Sequence, residues 1–355
     1  MGNTKKGVLN DRFCGFQTEG MWFVTILPRP PVPVTERKHT MGRVLIFPTS
    51  FGKFSDEPGR ILEDAGLTYT RFSKPGITED EMIEKLQGFD AVILGLEPMS
   101  EKVMRGCPQL KVVSLYGVGM DNVDLPAARE LGIRVYNTPG SNAEAVADYT
   151  FGLMLSLARN IPAANRDLKG GAWKRYPGRP VYNATLGIIG LGNIGKAVAR
   201  RARGFGMRIL ACGHHWDEAF VREYGVERVS LEELCARADF ITLHTSLTPE
   251  NRNLISMEQF RIMKPTAYLI NCARGGLVNE ADLAAALRAG LLAGAALDAY
   301  AEEPPLGSPL LEMEQVIATP HIAGSSTDSI HNMAMMSARN CVKGLLEAAA
   351  EAAPN

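Results

Sequence analysis

From Met41 onward, short continuous apolar runs alternate with stretches in which apolar residues recur at the spacing of a helix. Short apolar runs predict strands, and the amphipathic stretches between them predict helices. In a first series the predicted strands cover residues 44–47, 67–72, 91–94, 112–115 and 134–136, with helices such as 58–65 and 79–86. Strands that alternate with helices in this way predict a parallel sheet.

A second series follows a break at Pro139-Gly140, a long predicted helix over 142–159 and a glycine-rich stretch over 169–178. Its predicted strands cover 186–189, 208–212, 240–243, 267–271, 294–297 and 316–318, with helices at 231–237, 257–261 and 280–289. A last helix, over 326–347, has no strand of its own in this series. We therefore expect it to return to the first series.

Residues 1–40 do not follow the pattern. They carry a proline-rich stretch and then a polar one, and their one apolar run, 21–27, is too short for a secretory core. We predict a disordered leader.

The composition narrows the class of protein. The chain has 355 residues, 46% hydrophobic and 22% charged, with a formal net charge of −1, which predicts a globular protein without a nucleic-acid or membrane partner. No apolar run approaches the ~18 residues of a bilayer span. The six cysteines show no C-x-x-C spacing. They indicate free thiols, no metal site and a reducing, cytoplasmic compartment.

A glycine turn opens the second series. The predicted strand at 186–189 runs into Gly190, Gly192 and Gly195, and a helix from 194 to 205 follows. The first glycine permits a tight turn, the second lets a pyrophosphate approach the backbone, and the third lets helix and strand pack closely. The free N–H groups of the helix attract the phosphates. This combination predicts a dinucleotide site and therefore redox chemistry.

Three residues with suitable chemistry follow successive predicted strands of the second series: Arg274, Glu303 and His321. The carboxyl ends of parallel strands share one edge, where open α/β sheets bind ligands. Arginine suits a carboxylate, and a histidine paired with an acid suits proton transfer. Taken alone, Glu303 is more typical of a solvated loop acid and His321 of a structural histidine. For Arg274 the alternative is a surface ion pair, but the two glycines that follow it at a strand end favour a functional role. The common position of the three residues favours a 2-keto acid site.

The chain resembles the D-isomer-specific 2-hydroxyacid dehydrogenases, most closely the phosphoglycerate-dehydrogenase branch, over residues 43–345. Besides the glycine turn, the resemblance rests on Tyr116-Gly-Val-Gly-Met-Asp-Asn-Val-Asp124, Asn137-Thr-Pro-Gly140, Asn271-Cys-Ala-Arg-Gly-Gly276, Gly294-Ala-Ala-Leu-Asp298, Glu303-Pro304 and Thr319-Pro-His321. It implies two Rossmann-like or flavodoxin-like domains with parallel sheets and the active site in the cleft between them. The dinucleotide-binding domain would cover 141–324, and a discontinuous substrate domain would cover 41–140 and 325–355.

The resemblance also implies roles for residues. Arg274 would bind the substrate, and Glu303 would pair with His321, the proton donor in reduction and acceptor in oxidation. Asp298 would hold the nicotinamide carboxamide. The implied cofactor-binding positions are Val118, Gly190, Gly192, Asn193, Ile194, Gly195, Gly213, His214, Thr245, Cys272, Ala273, Asp298 and Gly324. The implied substrate-binding positions are Val118, Gly119, Asn142 and Arg274. A homodimer through the helix at 142–159 is also implied.

The sequence departs from the family pattern after the predicted strand 208–212. Gly213, followed by His214 and His215, stands where NAD-specific enzymes carry an acid for the ribose hydroxyls, and Asp217 lies four residues further on. No arginine replaces the acid. The choice between NAD(H) and NADP(H) stays open at this point.

A second departure concerns the substrate. Gly95-Leu-Glu-Pro98 and Leu115 stand where the phosphoglycerate branch has arginines, and Glu97 would repel a phosphate unless Lys74, or Arg159 of a second subunit, offsets it. Phosphoglycerate, hydroxypyruvate and glyoxylate remain open. We also expect no regulatory domain after the last helix.

The alternative from another class is an NAD(H)-responsive corepressor of the same fold, since some relatives act in that way. The sequence contains no specific peptide-docking motif in its support. A formate-dehydrogenase-like activity is disfavoured because that branch has glutamine where Glu303 stands.

Overall fold

The structure is a computed structural model that describes residues 13–18, 21–26 and 41–352. The described residues before Met41 and those from Met41 to Ala352 belong to two separate units. In the first unit, β1 (Phe13–Thr18) pairs antiparallel with β2 (Met21–Ile26). Both strands are rich in aromatic or β-branched residues, which favour strand pairing. The hairpin therefore differs from the predicted disordered leader, whose other residues lie outside the described ones.

The second unit begins with a five-stranded parallel sheet. Its strands are β3 (Gly42–Ile46), β4 (Leu67–Arg71), β5 (Ala91–Leu94), β6 (Val112–Leu115) and β7 (Arg134–Tyr136), in the spatial order β4-β3-β5-β6-β7. The connecting helices are α1 (Glu57–Asp64), α2 (Glu79–Leu86), α3 (Glu101–Arg105) and α4 (Leu125–Glu130). Every residue of β5 and β6 is buried, as expected for parallel strands that are covered on both faces.

A seven-stranded parallel sheet follows. Its strands are β8 (Thr185–Ile189), β9 (Arg208–Cys212), β10 (Glu227–Arg228), β11 (Phe240–Leu243), β12 (Tyr268–Asn271), β13 (Gly294–Leu297) and β14 (Val316–Ala318). The spatial order is β10-β9-β8-β11-β12-β13-β14. The order reverses direction at β8, so the glycine turn lies at a topological switch point, where such sheets bind ligands.

Seven α-helices accompany the second sheet: α5 (Ala143–Ala158), α6 (Ile161–Lys169), α7 (Asn193–Gly204), α8 (Glu218–Tyr224), α9 (Leu231–Arg237), α10 (Met257–Ile262) and α11 (Glu280–Arg288). Three short 3-10 helices lie at Pro249–Asn251, Gly275–Leu277 and Pro309–Glu312. Within the described residues, no helix combines the length and the apolar character needed to cross a bilayer.

The last helix, α12 (Thr327–Ala352), packs on the first sheet. Ala338 and Cys341 share a core with Val44 and Ile46 of β3. The Tyr116 hydroxyl, just after β6, donates to a backbone carbonyl of α12 at 2.8 Å. The chain thus crosses from the first sheet to the second and back. Two parallel α/β sheets confirm the predicted fold class.

Candidate active site

The glycine turn has the shape that a dinucleotide needs. Gly190 has φ +94°, and a Cβ there would lie 2.7 Å from the His244 carbonyl oxygen. A Cβ on Gly195 would lie 2.1 Å from the Gly190 carbonyl oxygen, so strand and helix meet without room for a side chain. By contrast, no described atom lies within 4 Å of a Cβ on Gly192. The space at Gly192 and the start of α7 at Asn193 suit a pyrophosphate, which the free N–H groups would bind.

His244 lies against this turn, and Cys272 follows β12 in the same sheet. Cys272, which follows β12, is almost fully buried, and burial raises the pKa of its thiol to about 12. Burial likewise lowers the pKa of His244, after β11, to about 3. Thr245 and Ala273, the next residues of these two strand ends, are partly exposed. Burial therefore favours the neutral form of both side chains.

The end of β9 carries no free acid among the described residues. Gly213 and His214 are exposed. Asp217 accepts a hydrogen bond from the Phe220 N–H at 3.1 Å as the N-cap of α8, and it pairs with Lys196 at 2.8 Å. These contacts, the bond from Lys196 first, lower the pKa of Asp217. Both carboxylate oxygens of Asp217 are thus already engaged, one in the helix cap and the other in the ion pair with Lys196.

Arg274 follows β12 on a tightly fixed turn. The Asn271 side chain donates to the Arg274 carbonyl at 2.8 Å and accepts from the Ala273 N–H at 3.0 Å. Gly275 packs against the backbone after β13, since a Cβ there would lie 1.8 Å from the Tyr300 carbonyl carbon. These contacts hold the backbone of Arg274 at the carboxyl edge of the sheet.

Glu303 and His321 form a hydrogen-bonded pair. His321 Nδ1 lies 3.0 and 2.9 Å from the two carboxylate oxygens of Glu303, and the Tyr300 N–H donates to the same carboxylate at 3.1 Å. Burial tends to raise the pKa of Glu303. The bonds from His321 and Tyr300, with the charge of Arg274, outweigh burial and lower that pKa. An ionised Glu303 that accepts from Nδ1–H leaves Nε2 of His321 to exchange a proton.

Asp298 is 1% exposed and holds the loop that carries His321. Its carboxylate accepts from the Thr319 hydroxyl at 2.6 Å and from the N–H groups of Ile322 and Ala323 at 2.9 and 2.8 Å. His321 itself has φ +53°, a left-handed conformation that these bonds support. The structure thus gives Asp298 an internal role, and its predicted contact with the carboxamide stays a prediction.

The first sheet contributes the opposite side of the site. A Cβ on Gly119 would lie 1.5 Å from Nη2 of Arg274, so these two predicted substrate-binding residues are in direct contact. A Cβ on Gly324 would lie 3.1 Å from Nδ2 of Asn142, whose buried Oδ1 has no partner among the described residues. The contact of Gly119 with Arg274 therefore joins the two sheets, while Asn142 and Gly324 meet where the chain passes between them.

Comparisons with known proteins identify the family of the chain. Residues 151–323 match the family model for the NAD binding domain of D-isomer specific 2-hydroxyacid dehydrogenases. A glyoxylate reductase from Korarchaeum cryptofilum is 44% identical over 269 residues, which cover 74% of this chain and 81% of that protein. The chain belongs to the D-isomer-specific 2-hydroxyacid dehydrogenase family. The predicted resemblance is confirmed.

Other members of the family are similar over most of this chain. A D-3-phosphoglycerate dehydrogenase from Methanocaldococcus jannaschii is 44% identical over 279 residues, 78% of this chain but 52% of that protein. The chain thus spans about half the length of that relative. Among solved structures, the TT0316 protein from Thermus thermophilus has a TM-score of 0.79 at 37% identity, covering 86% of this chain and 97% of that one. These relatives give the corepressor alternative no support.

One residue of the site, Asp121, was missed in the sequence analysis. Asp121 accepts a hydrogen bond from Nε of Arg274 at 2.6 Å, between the two sheets. It lies inside the motif that supports the resemblance to this dehydrogenase family, and its position in a glycine-rich loop was the one available indication. The pairing itself joins residues 153 positions apart.

Proposed function

We propose that the protein transfers a hydride between a nicotinamide cofactor and C2 of a small D-2-hydroxy acid or 2-keto acid. The proposal rests on the hydrogen-bonded pair of Glu303 and His321 and on the nearby Arg274. Arg274, Glu303 and His321 follow β12, β13 and β14 respectively, which are three adjacent strands of one sheet. The space beside Gly192 fits the pyrophosphate of the cofactor. When bound, that cofactor supplies or accepts the hydride.

The residues of the chain would supply the remaining chemistry. Arg274 would bind the substrate carboxylate and polarise the adjacent carbonyl, because its guanidinium presents several donors in one plane. In reduction, His321 Nε2 would give its proton to the carbonyl oxygen, which becomes the hydroxyl. Glu303, held ionised, would balance the charge of the protonated ring. In oxidation the proton would return to His321.

The test is turnover by the wild type and by His321→Ala on a panel of 2-keto acids with NADH and NADPH. We expect His321→Ala to lose about 10²–10⁴-fold in kcat, while cofactor binding, followed by nicotinamide fluorescence, is retained. His331→Ala is a matched control, because His331 also faces a glutamate, Glu57, at 3.8 Å on the first domain. Unchanged turnover in His321→Ala would falsify the proton-transfer role.

We propose further that the substrate lacks a phosphate. Leu96 lies in the stretch 95–98, where the phosphoglycerate branch has an arginine, and it is 69% exposed. The Glu97 carboxylate remains beside it and accepts from the Gly95 N–H at 2.7 Å. Lys74, a potential counter-charge, pairs with Glu81. An apolar side chain beside an acid disfavours a dianion, which supports glyoxylate or hydroxypyruvate.

The substrate proposal is tested by comparing hydroxypyruvate with its phosphorylated form. We expect kcat/KM for hydroxypyruvate to exceed that for the phosphorylated acid by at least about tenfold. The ratio of these two kcat/KM values should be smaller in Leu96→Arg, since the guanidinium would bind the phosphate through two N–H donors. Leu96→Met, which keeps the apolar character, is the control. A wild type that prefers the phosphorylated acid rejects this proposal.

We infer that the protein uses NADPH as well as NADH. The support is the exposed Gly213 and the commitment of Asp217 to Lys196, which leave no acid to repel a 2′-phosphate among the described residues. Among the described residues, the nearest atom to a Cβ at Gly213 would lie 3.8 Å away, so the position has room for the start of a side chain. Gly213→Asp should lower kcat/KM for NADPH at least about tenfold and spare NADH, by charge repulsion. Wild-type discrimination against NADPH by orders of magnitude contradicts the inference.

We also propose a homodimer and a cytoplasmic location. The apolar residues of α5 are mostly buried within the chain, so α5 offers little apolar surface to a partner. Large apolar side chains are exposed on α6 and in the residues after it: Ile161, Leu168, Trp173 and Tyr182. This segment is therefore the better candidate for the interface. The five cysteines of the described residues are free thiols, which supports a reducing compartment.

A further inference from the structure

The loop that carries Asp121 is held, before and after this residue, by hydrogen bonds to segments around the five-stranded sheet. The Asn137 side chain donates to the Val118 carbonyl at 2.8 Å. The Asn122 side chain donates to the Glu97 carbonyl at 2.7 Å. Asp121 lies between these two attachments, so its carboxylate projects from a constrained backbone.

Arg274, which follows a strand of the seven-stranded sheet, contacts this loop. Its Nε donates to Asp121 at 2.6 Å and its Nη1 to the Ala273 carbonyl at 2.9 Å. Its Nη2 lies against Gly119, only 1.5 Å from where a Cβ would be. Because a guanidinium is planar, two fixed nitrogens define the direction of the third. Nη2 accordingly has no hydrogen-bond partner among the described residues and is available to an anion.

We propose that Asp121 is a positioning residue that holds Nε of Arg274 and so turns Nη2 toward the substrate carboxylate beside Gly119. The proposal rests on the proposed function, in which Arg274 binds that carboxylate. Asp121 acts through Arg274. It also ties the position of the arginine, which belongs to one sheet, to the loop that forms the other side of the cleft.

The exposure of the pair separates this role from a structural one. The side chains of Arg274 and Asp121 are 31% and 42% exposed. Exposed ion pairs contribute little to folding stability. A displacement of about 1 Å in a substrate-binding group, however, can lower the rate about 10²-fold. Loss of Asp121 should therefore affect substrate handling and leave folding intact.

The experiment is a double-mutant cycle. Asp121→Ala and Asp121→Asn are made in the wild type and in Arg274→Lys, and kcat/KM for glyoxylate is measured together with the affinity for oxamate, a non-reacting keto-acid mimic. Glu130→Ala is the matched control, because Glu130 forms an ion pair of the same 2.6 Å with Arg105, away from the site. Thermal unfolding is followed for every variant.

We expect Asp121→Ala to lower both kcat/KM and oxamate affinity by about 10–100-fold, with the melting temperature unchanged. Asp121→Asn keeps an acceptor oxygen and should lose less. In Arg274→Lys, which lacks Nε–H, Asp121→Ala should add almost nothing, and Glu130→Ala should behave like the wild type.

An equal loss in both backgrounds, or no loss in Asp121→Ala, overturns the proposal. If the wild type turns over no 2-keto acid, the proposed function fails. The oxamate affinities then still decide the role of Asp121: an affinity that Asp121→Ala leaves unchanged contradicts it, and a loss that depends on Arg274 supports it.

Discussion

Gly119 and Gly117 lie two positions apart in one loop, yet a side chain would meet very different surroundings at each. A Cβ at Gly119 would lie 1.5 Å from Nη2 of Arg274, whereas no atom of the described residues lies within 4 Å of a Cβ at Gly117. We predict that Gly119→Ala displaces the arginine and lowers kcat/KM by about 100-fold or more. Gly117→Ala should stay near the wild type. Steady-state kinetics of the two variants decide the matter, and equal activity would contradict the prediction.

At the residue scale the sequence predicted which residues lie at one sheet edge better than it predicted their contacts. Arg274, Glu303 and His321 were identified because strand ends share one edge of a parallel sheet. Two contacts were not predicted: the ion pair of Arg274 with Asp121, and the hold of Asp298 on the loop of His321. Both contacts depend on the packing of segments that are distant in sequence, and the spacing of apolar residues does not predict such packing.

The strand–turn–helix element from β8 to α7 separates folding from cofactor binding. A Cβ at Gly195 would collide with the Gly190 carbonyl oxygen at 2.1 Å, but a Cβ at Gly192 meets no described atom within 4 Å. We predict that Gly192→Ala keeps the wild-type melting temperature and binds NADH and NADPH at least about tenfold more weakly, because the methyl group enters the phosphate space. Gly195→Ala should lower the melting temperature. Calorimetry and cofactor titration test both, and a destabilised Gly192→Ala would refute the distinction.

The start of β8 is held by Asp239, and this contact should depend on pH. Its carboxylate accepts from the Thr185 N–H at 2.9 Å and from Lys264 at 3.0 Å. Burial tends to raise the pKa of Asp239, and these bonds outweigh it and lower the pKa. We predict that Asp239→Asn lowers the free energy of unfolding by about 1–2 kcal/mol near neutral pH.

The sign of the pH effect follows from the lowered pKa. The contribution of Asp239 is fully present above the unfolded-state pKa of about 3.9. It is lost as the pH falls through the lower folded-state pKa, so the difference between Asp239→Asn and the wild type should shrink in acid. Urea unfolding at several pH values measures it. Asp148→Asn, in an ion pair with Arg201 that leaves Asp148 73% exposed, is the control and should change little.

Seven strands have the predicted bounds: β5, β6, β7, β9, β11, β13 and β14. Four of them, β5, β6, β11 and β13, are buried at every position, but β7 and β14 have no fully buried residue, so complete burial was not needed for the prediction. Helix α6 was not predicted, and none of its residues is buried, so its sequence lacks an apolar face oriented to a core. The β1–β2 hairpin was not predicted either, because the prolines after it directed the prediction toward disorder.

The whole molecule should associate through α6 and the residues that follow it. Trp173 is 81% exposed and Ile161 51%, which is unusual for large apolar side chains. We predict that Trp173→Asp combined with Ile161→Asp converts a dimer into a monomer, because charge in an apolar interface is costly to desolvate. Light scattering after size-exclusion chromatography measures the mass. Leu306→Asp, at a side chain 86% exposed elsewhere, is the control. A dimer that survives the double change excludes this interface.

The return of α12 to the first sheet has a mechanical consequence. The chain passes between the two sheets at two places, and Asn142 and Gly324, one at each passage, are neighbours. Two adjacent covalent connections allow little more than rotation about one hinge axis near these residues. Glu303 and His321 belong to the same side of that hinge, while Asp121 and Arg274 lie on opposite sides. We therefore expect opening to part the ion pair and leave the proton-transfer pair assembled, so that each closure restores the arginine to its place.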